Sequence, residues 1–177
     1  AVTVRVRAGD NLLIHKAIAT TRPGDVLVID GRGELTNALV GENIVLWAQK
    51  CGLAGLVVDG AVRDLAALER IGLPVFARGV TPAGTYKNGG GEVNAPISCG
   101  RVAVLPGDIV VGDADGVTVV PARDAEAVLA GMARKHETER LAKEGIAAGA
   151  WRRPACTDEA VASAGACFVD TTWSADP

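Results

Sequence analysis

Apolar and polar residues alternate at the start of the chain. Val2, Val4 and Val6 stand against Thr3, Arg5 and Arg7, the two-residue period of a strand with one wet face. The period then changes. After a Gly9-Asp10 turn, Asn11 to Thr20 predicts a helix with Leu12, Leu13, Ala17 and Ile18 inward. Arg22-Pro23-Gly24-Asp25 reads as a turn into a buried strand, Val26 to Gly31, and Gly33 to Ala38 leads on to a second turn at Gly41-Glu42. From there Ile44, Val45, Trp47, Ala48 and Cys51 fit one helix face, and Gly52 suits the position just past a helix end. Leu53 to Val58 predicts a short apolar strand closed by Asp59-Gly60, with Arg63-Asp64 just beyond it. Leu65 to Ile71 predicts a short helix stopped by Gly72 and Pro74, and Pro74 to Arg78 another strand.

Thr81 to Asn94 (TPAGTYKNGGGEVN) is too long and too glycine-rich for a tight hairpin. Such a loop either carries function or reaches a neighbouring subunit, and Tyr86, Lys87 and Glu92 are its candidate side chains. Its Gly89-Gly90-Gly91 lacks the Lys-Ser/Thr that follows in a phosphate loop. Ala95 to Pro121 is β-rich, and Pro106-Gly107-Asp108 before Ile109 to Val111 repeats the Pro-Gly-Asp-strand pattern of residues 23–29; turn plus core strand accounts for both copies. Ala122 to Lys143 predicts a long helix with Ala125, Val128, Leu129 and Met132 on its apolar face. Its later part, RKHETERLAK, is a charged run suited to i,i+4 pairs on a solvated face. Residues 1–145 are expected to form one α/β core. Residues 146–177, irregular and carrying Trp151 and Trp173, are expected to dock on that core or on another subunit.

Composition narrows the chemistry. The 177 residues suit one domain, and with 49% hydrophobic but only 3% aromatic residues the core must be aliphatic. A net charge of -3 gives no basic footprint, which argues against non-specific nucleic-acid binding. No apolar run approaches the length that spans a bilayer, and no secretory signal is present. Cys51, Cys99, Cys156 and Cys167 match no zinc spacing and read as reduced thiols of a cytoplasmic protein. His15 and His136 lie far apart, so a metal site would rest on oxygen ligands, which points to magnesium or manganese before zinc.

Residues 41–64 then concentrate the candidate chemistry. Helix-start amides have no intrahelical partner and can hold a carboxylate. A carboxylate at the strand end can hold a divalent cation, and an arginine can steady an anionic oxygen. Glu42 also has a plain reading as a first-turn acid favoured by the helix dipole, and Arg63-Asp64 as a surface ion pair.

At these residues the chain resembles the 4-hydroxy-4-methyl-2-oxoglutarate / 4-carboxy-4-hydroxy-2-oxoadipate aldolases, which share a fold with the regulator of ribonuclease activity A. The family's acidic residue, twenty residues, then Arg-Asp corresponds here to Glu42 and Arg63-Asp64. The segments GDNLLIHKA, PGDVLVIDGRGELTNALVGE, GLAGLVVDGAVRD, PVFARGVTPAGTYKNGGGEVNAPIS and PGDIVVGDADGVTVVP extend the likeness over roughly residues 1–145. The resemblance implies a swivelling β/β/α fold, a sandwich of sheets with flanking helices, assembled as a homotrimer or homohexamer with sites at subunit interfaces. It implies that Asp64 holds magnesium or manganese and that Arg63 contacts the keto acid and its developing enolate. The amides of Gly41, Glu42, Asn43 and Ile44 would hold the pyruvyl carboxylate. Glu42 would hold a water or help move a proton. Glu137, with Glu139 as runner-up, would enter from a neighbouring subunit's C-terminal helix. It also implies a helical N-terminal segment ahead of Ala1.

The activity so implied is metal-dependent (class II) cleavage of a 4-hydroxy-2-oxo acid to pyruvate and a second keto acid, in the catabolism of aromatic compounds, with oxaloacetate decarboxylation through the same enolate. Two other readings share the architecture. One is a regulator that binds an RNA-processing enzyme without catalysis. The other is a phosphocarrier domain, which needs a histidine in a strand-adjacent loop, whereas His15 and His136 both fall in helical stretches.

Overall fold

The computed structural model describes residues 1–151, 153 and 156–166. Strands β1 (Val2–Val6), β2 (Val26–Val40), β3 (Gly55–Val62) and β4 (Val75–Val80) pair in parallel. Strand β5 (Gly91–Val93) joins β1 antiparallel, giving the order β4-β3-β2-β1-β5. Helices α1 (Leu12–Ile18), α2 (Glu42–Lys50) and α3 (Leu65–Ile71) connect the parallel strands in turn. Each new strand is added on the same side of the last, so right-handed crossovers bring all three helices to one face. There Ile14, Ile18, Val45 and Leu68 close over Val4, Ile29, Leu56 and Val58 in an aliphatic core. The alternate residues of the strands face the other way. Val28 and Val57 pack with Ile97 and Val104 and with Phe76, Val110 and Val119. These come partly from two hairpins, β6 (Ile97–Cys99) with β7 (Val102–Val104) and β8 (Ile109–Asp113) with β9 (Gly116–Val120).

Both Pro-Gly-Asp turns work alike. The Asp25 carboxylate accepts the Arg22 N–H at 2.7 Å, and the Asp108 carboxylate accepts the Leu105 N–H at 2.8 Å. One turn feeds β2 and the other β8, on opposite sides of the shared Val28–Val110 core.

Several local expectations are corrected. The buried stripe of α1 is Ile14, Ala17 and Ile18, an i, i+3, i+4 set, and Leu12 points outward. Trp47 is half-exposed, and α2 buries Ile44, Val45 and Ala48. Strand β2 does not stop at Gly31. Arg32 and Gly33 take left-handed conformations (φ 60 and 69), and the strand resumes pairing with β3 at Glu34, Ala38 and Val40. The glycines that looked like a strand end mark a bulged bend inside one. Asp59-Gly60 lies within β3, not in a closing turn, because β3 runs straight past the β2 bulge.

By its internal contacts the chain divides into two units, Ala1–Val128 and Leu129–Pro177. A 3-10 turn at Ala122–Asp124 leads into α4 (Ala125–Ala147), which buries none of its residues. Of the apolar face predicted for this helix, Val128, Leu129 and Met132 are exposed, as are Leu141 and Ile146 further along it. The segment read as irregular contains α5 (Asp158–Ser163), started by Thr157, whose hydroxyl accepts the Ala160 N–H. Trp173 and Cys167 lie outside the described residues. Among the described residues no helix is long and apolar enough to cross a membrane.

Candidate active site

Parallel strands end on one edge of their sheet, where open α/β sheets bind ligands. Gly9-Asp10 follows β1, Gly41 follows β2, Arg63-Asp64 follows β3 and Thr81 follows β4. Main-chain bonds lock these segments side by side. Arg63 N–H donates to Val40 O at 2.9 Å, and Thr81 N–H to Val62 O at 3.0 Å.

Asp64 occupies the left-handed region (φ 61, ψ 36), which aspartate tolerates better than most residues. Its carbonyl accepts the Ala67 and Leu68 amides and starts α3. Its side chain reaches across to α2, where Oδ2 accepts the Glu42 N–H at 3.1 Å and lies 3.5 Å from Arg63 Nε. A Cβ at Gly41 would lie 2.6 Å from that oxygen and 2.9 Å from Arg63 Cγ. Glycine here is therefore a matter of space, since any larger residue would push Arg63 and Asp64 off the helix start.

Glu42, Arg63 and Asp64 are thus brought together with the amides of Gly41, Asn43 and Ile44. Glu42 and Asn43 are solvent-exposed, Ile44 is buried, and Gly41 O accepts the Ile44 and Val45 amides. The anion seat expected at this turn already holds a carboxylate at Glu42, that of Asp64. Arg63 and Asp64 keep 43% and 42% of their side-chain surface in solvent, so both remain open to a ligand. The loop after β4 walls this edge. Ala83 O accepts the Ala38 N–H at 3.0 Å, Gly84 O accepts Asn37 Nδ2 at 2.6 Å, and a Cβ at Gly84 would lie 3.5 Å from Arg63 Nη1.

Glu137 stands on α4 in the second unit. Arg140 grips it with two bonds, Nε at 2.9 Å and Nη2 at 2.7 Å, which hold its carboxyl below the usual glutamate range. Glu139 lies 3.7 Å from Lys135 on the same helix.

Sequence reasoning overlooked a charged row across the other face of the sheet. Asp30 and Asp59 are register partners on β2 and β3, both buried. Arg5 Nε reaches Asp30 at 3.2 Å, and Arg78 Nε reaches Asp59 at 2.6 Å. The only sequence signal was two Asp-Gly steps, which resemble turns. Beside this row lies a cavity of about 610 Å³ lined by Val57, Phe76, Arg78, Cys99 and Val119. Its lining is mostly apolar. Burial, then the charges of Asp59 and Asp30, push the Cys99 thiol up to about 11, which removes it as a nucleophile at neutral pH. The carboxylate of Asp10, beneath the glycine-rich loop, was also passed over as a turn residue.

Among the described residues no three His, Cys, Asp or Glu side chains cluster as a metal cage. The donor set at the strand ends still suits a hard cation. Asp64 is an accessible carboxylate, Glu42 is on the adjacent helix turn, and magnesium commonly takes one or two protein carboxylates and fills its shell with water and ligand oxygens.

The profile of the RraA-like family, Aldolase/RraA, matches residues 1–119. The chain belongs to that family. A Halalkalibacterium halodurans protein of the family, named "Putative 4-hydroxy-4-methyl-2-oxoglutarate aldolase", is 48% identical over 144 residues, covering 81% of this chain and 68% of the relative. The RNA-processing inhibitor RraA from Thermus thermophilis superposes with a TM-score of 0.64 at 39% identity, over 68% of this chain and 73% of that one. Streptomyces coelicolor RraAS2, described as an unusual member of the RNase ES inhibitor RraA family, gives 0.71 at 28% identity, over 81% and 75%. The swivelling β/β/α fold expected from the sequence is the family's fold.

Proposed function

We propose that this protein is a divalent-metal-dependent pyruvate aldolase, cytoplasmic, acting in aromatic-compound breakdown on 4-hydroxy-4-methyl-2-oxoglutarate or 4-carboxy-4-hydroxy-2-oxoadipate. The observation that carries the reading is the contact between Asp64, Arg63 and the Glu42 amide across the ends of β2 and β3. The 48% identical relative that bears an aldolase name supports it.

Cleavage breaks C3–C4. The C4 hydroxyl loses its proton and becomes the carbonyl of the second keto acid, while the bonding pair moves to C3 and the C2 oxygen as pyruvate enolate. Arg63 faces that oxygen and stabilises its charge. With Asp64 on the Glu42 amide and Gly41 O on the Ile44 amide, the amides of Gly41 and Asn43 at the α2 start receive the C1 carboxylate. Glu42 holds the water that carries off the C4 proton, with Glu137 of a second copy beside it. When bound at Asp64, magnesium or manganese supplies Lewis-acid polarisation of the keto acid. Protonation at C3 then gives pyruvate. Oxaloacetate decarboxylation follows from the same enolate, with carbon dioxide leaving in place of the second keto acid. The exposed apolar residues of α4 fit a trimer or hexamer in which that helix packs on a neighbour.

The test is pyruvate release from 4-carboxy-4-hydroxy-2-oxoadipate and from oxaloacetate, with magnesium and then with excess chelator, for the wild type and Asp64→Asn. Release that needs metal and collapses in the variant supports the reading. A folded oligomer that releases no pyruvate from either substrate with magnesium present sinks it. The second reading, a regulator that binds an RNA-processing enzyme, then moves forward, since a 39% identical structural relative is described as an RNA-processing inhibitor.

A further inference from the structure

The glycine-rich segment after β4 is not a free loop. It is pinned at three stations along the strand-end edge. The first is β2, through Ala38 N–H to Ala83 O at 3.0 Å and Asn37 Nδ2 to Gly84 O at 2.6 Å. The second is the end of β1, where Tyr86 N–H donates to Gly9 O at 2.8 Å and Asn11 N–H to Tyr86 O at 3.1 Å. The third is one side chain. Asp10 is only 1% exposed. Its Oδ2 accepts the Asn88 N–H at 2.7 Å and the Gly89 N–H at 2.6 Å, while its Oδ1 accepts the Leu12 N–H at 2.9 Å at the start of α1.

The fit around that carboxylate is close. A Cβ at Gly89 would lie 2.9 Å from Asp10 Cγ and 2.9 Å from Arg7 Cβ, so only glycine lets the loop main chain approach. Burial by itself raises the Asp10 carboxyl. The N–H groups of Leu12, Asn88 and Gly89 and the charge of Arg7 outweigh it and hold the group below its ordinary value. The side chain is therefore an anion whose bonds are split between a helix start and a loop. Between the first two stations the loop crosses Arg63, whose Nη1 would lie 3.5 Å from a Cβ at Gly84.

We propose that Asp10 is a positioning residue: its carboxylate clamps the 81–94 loop so that Gly84 stays against Arg63 and fixes the direction in which the guanidinium meets an anionic ligand. The clamp deepens the reading of Arg63 as the cationic group of the site and rests on it. Asp10 touches no substrate; it acts through the loop. Only Lys87 separates the Tyr86 station from the Asn88–Gly89 station, so loosening the Asp10 clamp is passed back along the loop through Tyr86 toward Gly84 while the strands stay in place.

The test uses the full chain and two substitutions. Asp10→Ser keeps a hydroxyl able to accept the Leu12 N–H two residues on, but it is too short to reach Asn88 and Gly89. Asn37→Ala releases the loop at its other end and leaves the Asp10 bonds alone. In Asp10→Ser the Asn88 and Gly89 amides exchange about ten- to a hundredfold faster, as expected for losing bonds to a charged acceptor. In both variants the Arg63 Nε–H resonance shifts. KM for the keto acid rises about tenfold with kcat within about threefold, the pattern of weakened binding common to ground and transition states. Unchanged Asn88 and Gly89 exchange in Asp10→Ser overturns the clamp. Faster exchange with an unmoved Arg63 resonance overturns the positioning role, and Asn37→Ala reports on Arg63 even where Asp10→Ser does not fold. A wild type that releases no pyruvate sinks the aldolase reading alone, because exchange and the Arg63 resonance need no turnover.

Discussion

The strand-end edge and helix α4 hold their functional candidates in opposite ways. At the edge, Asp64 is fixed by its backbone twist, by α3 starting on its carbonyl and by the Glu42 amide on its carboxylate. Asp10, a few residues after β1, is buried and fully bonded. On α4, among the described residues, Glu137 is held by Arg140 alone, which also reaches Glu144 at 2.5 Å, and no residue of the helix is buried. Exposed pairs of this kind contribute little to stability, and side chains held only by them reorient freely. The contrast teaches that one half of the proposed site is pre-organised within a single chain. The other half, in the proposed reading, is a charged helix face contributed by a second copy.

The largest expected effect tests the pre-organised half. Asp64→Asn keeps a residue that accepts the left-handed backbone, so the melting temperature stays within a few degrees, while pyruvate release falls about 10²- to 10³-fold. Full activity in that variant would reduce Arg63-Asp64 to a surface ion pair. Next comes the helix. Glu137→Gln should cost about 10²-fold, in the range of a lost acid–base group, with the fold untouched because the residue is exposed on its helix. Mixing Asp64→Asn with Glu137→Gln chains then restores part of the activity if each site draws on two chains. Mixed oligomers with no recovery would confine the site to the strand edge. Gly41→Ala ranks third. The added methyl meets Asp64 Oδ2 and Arg63 Cγ, which must swing aside; because both side chains are half-exposed, this costs less than core overpacking, about 1 kcal/mol. Urea unfolding should show that loss together with roughly tenfold weaker activity, since the atoms that move are those of the site.

Much of this was legible in the sequence, and the misses have physical causes. Strand and helix patterns placed β1, α2 and α3 within a residue or two, although β1 also buries Thr3, on the face expected to be wet, under the Ala95 carbonyl. The Glu42-to-Arg63 spacing marked the place where β2 and β3 end together. What failed was long-range. Arg32-Gly33 and Asp59-Gly60 carry turn chemistry, yet both sit inside strands, because β2 bulges where β3 runs straight. Asp10 looked like an ordinary turn acid. Its partners Asn88 and Gly89 are 78 and 79 residues away, a distance no local pattern spans. The apolar face of α4 was correctly periodic in its first turns, but no pattern in one chain says whether a face meets its own core or another copy.

The smallest effect isolates Asp10 from the exposed acids. Its carboxyl is held below the ordinary value of about 3.9 in the folded protein. The unfolded chain therefore binds that proton more tightly than the folded one. The stabilisation from the ionised clamp is complete above the unfolded value and is lost as pH falls through the folded one. Glu34, Glu137 and Glu159 are also held low, by local hydrogen bonds, so the acid slope of the wild type alone does not identify Asp10. The difference between wild type and Asp10→Asn does, because the other acids cancel. Urea unfolding from neutral pH downward should give a constant gap between the two proteins to about pH 5 and a narrowing gap below about pH 4. A gap that stays constant through that range would mean Asp10 ionises no more readily in the folded edge than in the open chain. The ionic part of its hold on the loop would then be absent, and the loop's order would rest on the main-chain bonds at Gly9, Asn11 and Ala38 and the Asn37 side chain.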